Sequence, residues 1–143
     1  MSARPGRPTV LVVDDDLSLR VLATIVLSRE GYSPVAVSNG FRALERVAGG
    51  GVDVVLTDLL MPGLDGFGVL TALAATRNAP PAVAMTASVD EDAIGRAFAL
   101  GALSVVRKPF TPEELGSAVA SALSAEPVQL PGEPRPRYAE LRA

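Results

Sequence analysis

Short, valine-rich apolar runs recur along the chain at Thr9–Val13 (TVLVV), Val35–Val37, Val52–Leu56 (VDVVL), Ala82–Met85 (AVAM) and Leu103–Val106. They lack regular polar alternation, the pattern of strands covered on both faces. Between them apolar residues return at helical spacing. Leu19, Leu22 and Val26 do so within 17–29, Phe41, Leu44 and Val47 within 40–48, and Phe67, Leu70 and Leu73 within 66–76. Ile94, Ala97 and Phe98 follow within 90–100, then Leu115, Val119 and Leu123 within 112–124. The last segment opens on Thr111-Pro112-Glu113-Glu114, which predicts a capping box with proline at the first helical position. Five strands alternating with five helices predict an α/β fold, a five-stranded parallel sheet doubly wound with helices on both faces. One domain is expected over 8–125. Residues 1–7 and the Pro/Arg-rich segment 126–143 carry no core period and are expected to be flexible.

Composition narrows the chemistry by what it omits. The 143 residues include no Cys and no His. Disulfides, thiolate nucleophiles, Ser-His-Asp triads and imidazole bases are therefore excluded, along with the usual zinc ligands. What remains is carboxylates, hydroxyls, ammonium or guanidinium groups, and a hard cation bound through oxygen. A net charge of −3 argues against nucleic acid as the main partner. No apolar run approaches the ~18 residues of a membrane span, and the start lacks a signal-peptide pattern. A cytoplasmic protein is expected.

Of the 13 basic side chains, Lys108 is the lone lysine, and the rest are arginine. Lysine is a compact point charge, whereas arginine is a planar fork, so the exception suits a site that aims one ammonium at one oxygen. A surface lysine with no role is the plain alternative. The strand ends repay inspection, because ligands of open parallel sheets bind at the carboxyl edge. Strand one ends in Asp14-Asp15-Asp16, strand three in Thr57-Asp58, strand four in Thr86-Ala87-Ser88 and strand five in Arg107-Lys108-Pro109. Each has an ordinary explanation. Asp16 suits a helix N-cap, Asp58 a turn and Thr86 a strand. Together they set acids, hydroxyls and the ammonium on one edge. Two carboxylates about 4 Å apart repel by about 4 kcal/mol at an effective dielectric near 20, and Mg²⁺ with a phosphoryl group would relieve that repulsion.

The stretches VLVVDDD, VVLTDLLMPGLDGFGVL, AVAMTA and VVRKPF, in this order and spacing, resemble the receiver domain of two-component response regulators over roughly 8–124. The resemblance implies the flavodoxin-like strand order 2-1-3-4-5. It implies Asp58 as phosphoacceptor from the histidine of a partner kinase or phosphotransfer protein. Mg²⁺ would be held by Asp15, Asp58 and the Leu60 carbonyl, with Asp14 acting mainly through water. Lys108 and Thr86 would each engage a phosphoryl oxygen, and Lys108-Pro109 would be cis. Leu60 and Ser88 would border the path of the water that hydrolyses the phosphorylated state. Where the family has a switch aromatic, this chain has Val105.

The 18 residues of 126–143 are too few for a DNA-binding helix-turn-helix domain. The expectation is therefore a stand-alone receiver that signals to a downstream protein, as a monomer or a weak dimer through helix 4, strand 5 and helix 5. It would act on itself without being a turnover enzyme, and it would bind neither nucleic acid nor membrane. Two alternatives differ in class. One is an adaptor of the same fold that is never phosphorylated. The other is an Asp-nucleophile hydrolase, suggested by Asp14-x-Asp16, although no insertion is present to cap its substrate.

Overall fold

The computed structural model describes residues 6–125. The expected tail over 126–143 and most of the expected loose start over 1–7 lie outside the described residues. Ten elements alternate: β1 (Thr9–Val13), α1 (Leu17–Arg29), β2 (Ser33–Val37), α2 (Gly40–Ala48), β3 (Val54–Asp58), α3 (Gly66–Ala74), β4 (Ala82–Thr86), α4 (Glu91–Ala99), β5 (Ser104–Arg107) and α5 (Pro112–Ser124). The strands form one parallel sheet in the order β2-β1-β3-β4-β5, as the resemblance implied.

Strand alternation divides the core into two layers. Val10, Val12, Leu56, Val83 and Met85 meet α1 and α5 through Val26, Leu27, Leu115 and Val119. Leu11, Val13, Val55 and Ala84 meet α2, α3 and α4 through Ala43, Phe67, Leu70 and Ala97. Burying one such aliphatic side chain contributes about 1.5–3 kcal/mol. β1, β3 and β4 are buried throughout, as unalternating runs predict. β2 and β5 are edge strands and are partly exposed. The edge position also accommodates Pro34 inside β2.

Three helix faces differ from the spacing-based expectation. Leu22, Phe41 and Phe98 are exposed, while Ala23 and Ala43 are buried in their helices and Ala97 is buried in α4 as expected. A small residue lets a helix approach the sheet closely, and the larger neighbour is then turned outward. β3 also begins and ends two residues later than expected, so Asp58 is its last residue. The cap expectations hold. Asp16 caps α1 by accepting from the Ser18 amide, and Thr111 with Glu114 forms the capping box of α5.

Candidate functional site

Parallel pairing brings the carboxyl ends of β1, β3, β4 and β5 to one edge, and a buried carboxylate lies at its centre. Asp14 is wholly buried. Its amide donates to Val37 O at 3.3 Å. Its Oδ1 accepts from the Asp16 amide at 2.9 Å and its Oδ2 from Lys108 Nζ at 2.6 Å. Its own carbonyl accepts from Arg20 Nη1 at 2.9 Å. Every polar group of Asp14 is thus occupied by protein. Asp15, next in the chain, is exposed, and its side chain has no hydrogen bond or ion pair among the described residues.

Asp58 lies across from this pair, 7% exposed, with Oδ1 3.3 Å from Lys108 Nζ. Burial pushes its carboxyl above the ordinary aspartate range, and the neighbouring charges of Asp14 and Asp15 add to the rise. The Lys108 ammonium opposes that rise both by its charge and by its hydrogen bond. Carboxylate oxygens of Asp14, Asp15 and Asp58 lie within 4.8 Å of one another. Three oxygens at this separation, two on buried carboxylates and one on the exposed, unengaged Asp15, fit a hard divalent cation that completes its shell with water.

A glycine behind Asp58 sets its depth. The Gly66 amide donates to Leu59 O at 3.0 Å, and a Cβ at Gly66 would overlap the Asp58 carbonyl oxygen and the Leu59 Cα. Relief would require moving the β3 end with its carboxylate. Gly66→Ala is therefore expected to lose about 1–3 kcal/mol of stability and to displace the Asp58 amide resonance. A variant as stable as wild type, with that resonance in place, would refute the steric account.

Thr86, 2% exposed, ends β4 with its Oγ1 accepting from the Ser88 amide at 3.0 Å. The Lys108 amide donates to Thr86 O at 2.8 Å and ties the ends of β4 and β5 together. The Lys108-Pro109 bond is cis, as expected. Val105 is opposite Ala84 and packs with the layer under α4, so an aliphatic side chain fills the place expected for a ring. Leu60, two residues past Asp58, is 64% exposed. All the expected side chains thus reach one edge, with Val105 deeper in the sheet. The sequence reading missed Arg20 and the packing role of Gly66. Arginine on a helix is ordinarily a solvated residue, and nothing in its spacing signals a bond back to the strand end.

The family model for the response regulator receiver domain matches residues 10–120. The DNA-binding response regulator MtrA of Mycobacterium tuberculosis is 38% identical over 117 residues, covering 82% of this chain and 51% of that protein. The chain thus spans about half the length of the MtrA relatives it matches. Sporulation initiation phosphotransferase F of Bacillus subtilis is 35% identical over 114 residues, covering 80% of this chain and 92% of that protein. Among solved structures, the chemotaxis protein CheY4 of Vibrio cholerae superposes with a TM-score of 0.76 at 28% identity, covering 82% of this chain and all of that one.

Proposed function

The chain belongs to the response regulator receiver domain family, and from that premise we propose that it accepts a phosphoryl group on Asp58 and passes the signal on through protein contacts. The observation that carries this is the buried Asp58 carboxylate, 3.3 Å from the Lys108 ammonium and within reach of Asp14 and Asp15. In the reaction, an Asp58 oxygen attacks phosphorus in line with the imidazole nitrogen of a partner's phosphohistidine. The P–O bond forms as the P–N bond breaks, and the imidazole nitrogen takes a proton. Lys108 supplies a fixed positive charge to one phosphoryl oxygen, and the Thr86 hydroxyl donates to another. Asp15 and Asp58 would hold Mg²⁺ with the Leu60 carbonyl. Asp14, whose carboxylate oxygens each already accept one hydrogen bond from protein, would act mainly through water. The ion would neutralise charge on the transferring group. The protein acts on itself and does not turn over substrate.

Exposed apolar side chains support protein partners. Leu17, Val21, Leu22 and Ile25 give α1 a solvent-facing apolar stripe that begins at the acidic edge. Among the described residues no helix is long and apolar enough to cross a membrane. We read the protein as cytoplasmic, working with a histidine kinase or phosphotransfer protein.

Intact mass after incubation with acetyl phosphate and Mg²⁺ tests the reading. One added phosphoryl group, absent from Asp58→Asn, is expected. No adduct would favour an adaptor that is never phosphorylated, and steady release of phosphate with turnover would favour a hydrolase.

The lifetime of the phosphorylated form follows from what borders Asp58. Leu60 has no group that could orient an attacking water, and the Ser88 hydroxyl accepts from the Asp90 amide at 3.0 Å. Slow self-dephosphorylation is expected, with Leu60→Asn speeding it by about tenfold or more, the usual effect of one positioned polar group. The decay of phosphorylated protein after donor removal, measured for both proteins, checks this. Equal decay, or slower decay in the variant, refutes it.

A further inference from the structure

We propose that Arg20 is a positioning residue for the Mg²⁺ site, setting the direction of Asp15 from the helix behind it; this rests on the reading of the acidic edge given above. Arg20 lies one turn into α1, its amide donating to Asp16 O at 3.0 Å. Its guanidinium reaches back to the end of β1, where Nη1 donates to Asp14 O at 2.9 Å. That oxygen belongs to the peptide joining Asp14 to Asp15. A peptide unit is planar, so fixing its oxygen fixes the plane and, with it, the placement of the Asp15 Cα. The Asp15 side chain has no hydrogen bond or ion pair among the described residues, so its aim depends on that backbone. Asp14 does not share this dependence, because Lys108 and the Asp16 amide hold its carboxylate directly. Arg20 and Lys108 therefore divide the acidic pair between them, one holding a backbone oxygen and the other a side chain.

Charge alone would give Arg20 the opposite effect. A guanidinium beside the acids repels a second cation, so its removal should tighten Mg²⁺ binding. Positioning predicts looser binding, and the sign of the change separates the two roles. Alanine is a good helix former and Arg20 is only partly buried, so Arg20→Ala should fold.

The test adds Mg²⁺ alone to wild type and Arg20→Ala and follows the amide resonances of Asp15 and Asp58, with thermal unfolding as a check on the fold. The variant is expected to bind Mg²⁺ about tenfold more weakly, in the range found when groups that orient metal ligands are lost. Its Asp15 amide should already be displaced without metal. Equal or tighter binding by the variant overturns the assignment while leaving the Mg²⁺ reading intact. Absence of any Mg²⁺-dependent shift in wild type overturns that reading and the assignment with it.

Discussion

Lys108→Met should lower folding stability by about 3 kcal/mol, at the modest end of what breaking a buried ion pair costs. The reason is Asp14. Its carboxylate is wholly buried, and Lys108 Nζ at 2.6 Å is its one cationic side-chain partner among the described residues. Without the ammonium, Asp14 keeps the Asp16 amide but faces the Asp58 carboxylate uncompensated. The Lys108 side chain is itself 20% exposed, so water can enter and limit the loss. Urea unfolding at neutral pH without divalent ions measures the effect. Adding Asp14→Asn to Lys108→Met should recover about 2 kcal/mol, because the variant then buries an amide instead of a charge. Lys108→Met within about 0.5 kcal/mol of wild type, the range of surface changes, would mean that the pair does not hold the edge together. Lys108→Arg keeps the charge, but its fork cannot place one point donor between Asp14 and a phosphoryl oxygen. It should be phosphorylated about tenfold more slowly, and phosphorylation at the wild-type rate would remove the case for lysine.

Asp58→Asn is expected to abolish the phosphoryl adduct and also to make the metal-free protein more stable. Burial raises the Asp58 carboxyl above its value in the unfolded chain, so the folded state holds that proton more tightly. Stability from this group is full below the unfolded carboxylate range and is lost as pH rises through the folded value. Above the unfolded carboxylate range, and so at neutral pH, the buried Asp58 carboxyl is therefore a cost, and asparagine removes it. A gain of about 1 kcal/mol would raise Tm by roughly 3–6 °C in a domain of this size. The advantage should shrink as pH falls below the raised folded pKa toward the ordinary aspartate range. Mg²⁺ should raise the Tm of wild type, because it binds only the folded state, and raise that of the variant far less. A variant less stable than wild type at pH 7 without metal would contradict the sign derived from burial.

Much of this was legible in the residues themselves. Valine-rich runs without alternation demand cover on both faces, and helical spacing between them supplies it, so the parallel βα order follows from pattern alone. Once the strands are parallel and joined by helices, their carboxyl ends must share an edge. Asp14, Asp15, Asp58, Thr86 and Lys108 are therefore brought together by chain order and strand direction, before any side chain is placed. Depth and pairing were not legible. A helical period shows that a face exists without showing how closely the sheet approaches, so Leu22, Phe41 and Phe98 were expected inside but are exposed, while Ala23 and Ala43 are buried unforeseen and Ala97 is buried as expected. Asp14 and Asp15 are adjacent acids of one type, yet one is buried with both carboxylate oxygens bonded and the other is exposed, because Asp14 directly follows β1 and its amide still bonds to Val37 O in the neighbouring strand. The bond from Lys108 to Asp14 spans 94 residues of chain, and Arg20 reaches a backbone oxygen that every residue type possesses. Such contacts depend on where neighbouring elements settle after packing, and one-dimensional spacing carries no record of that.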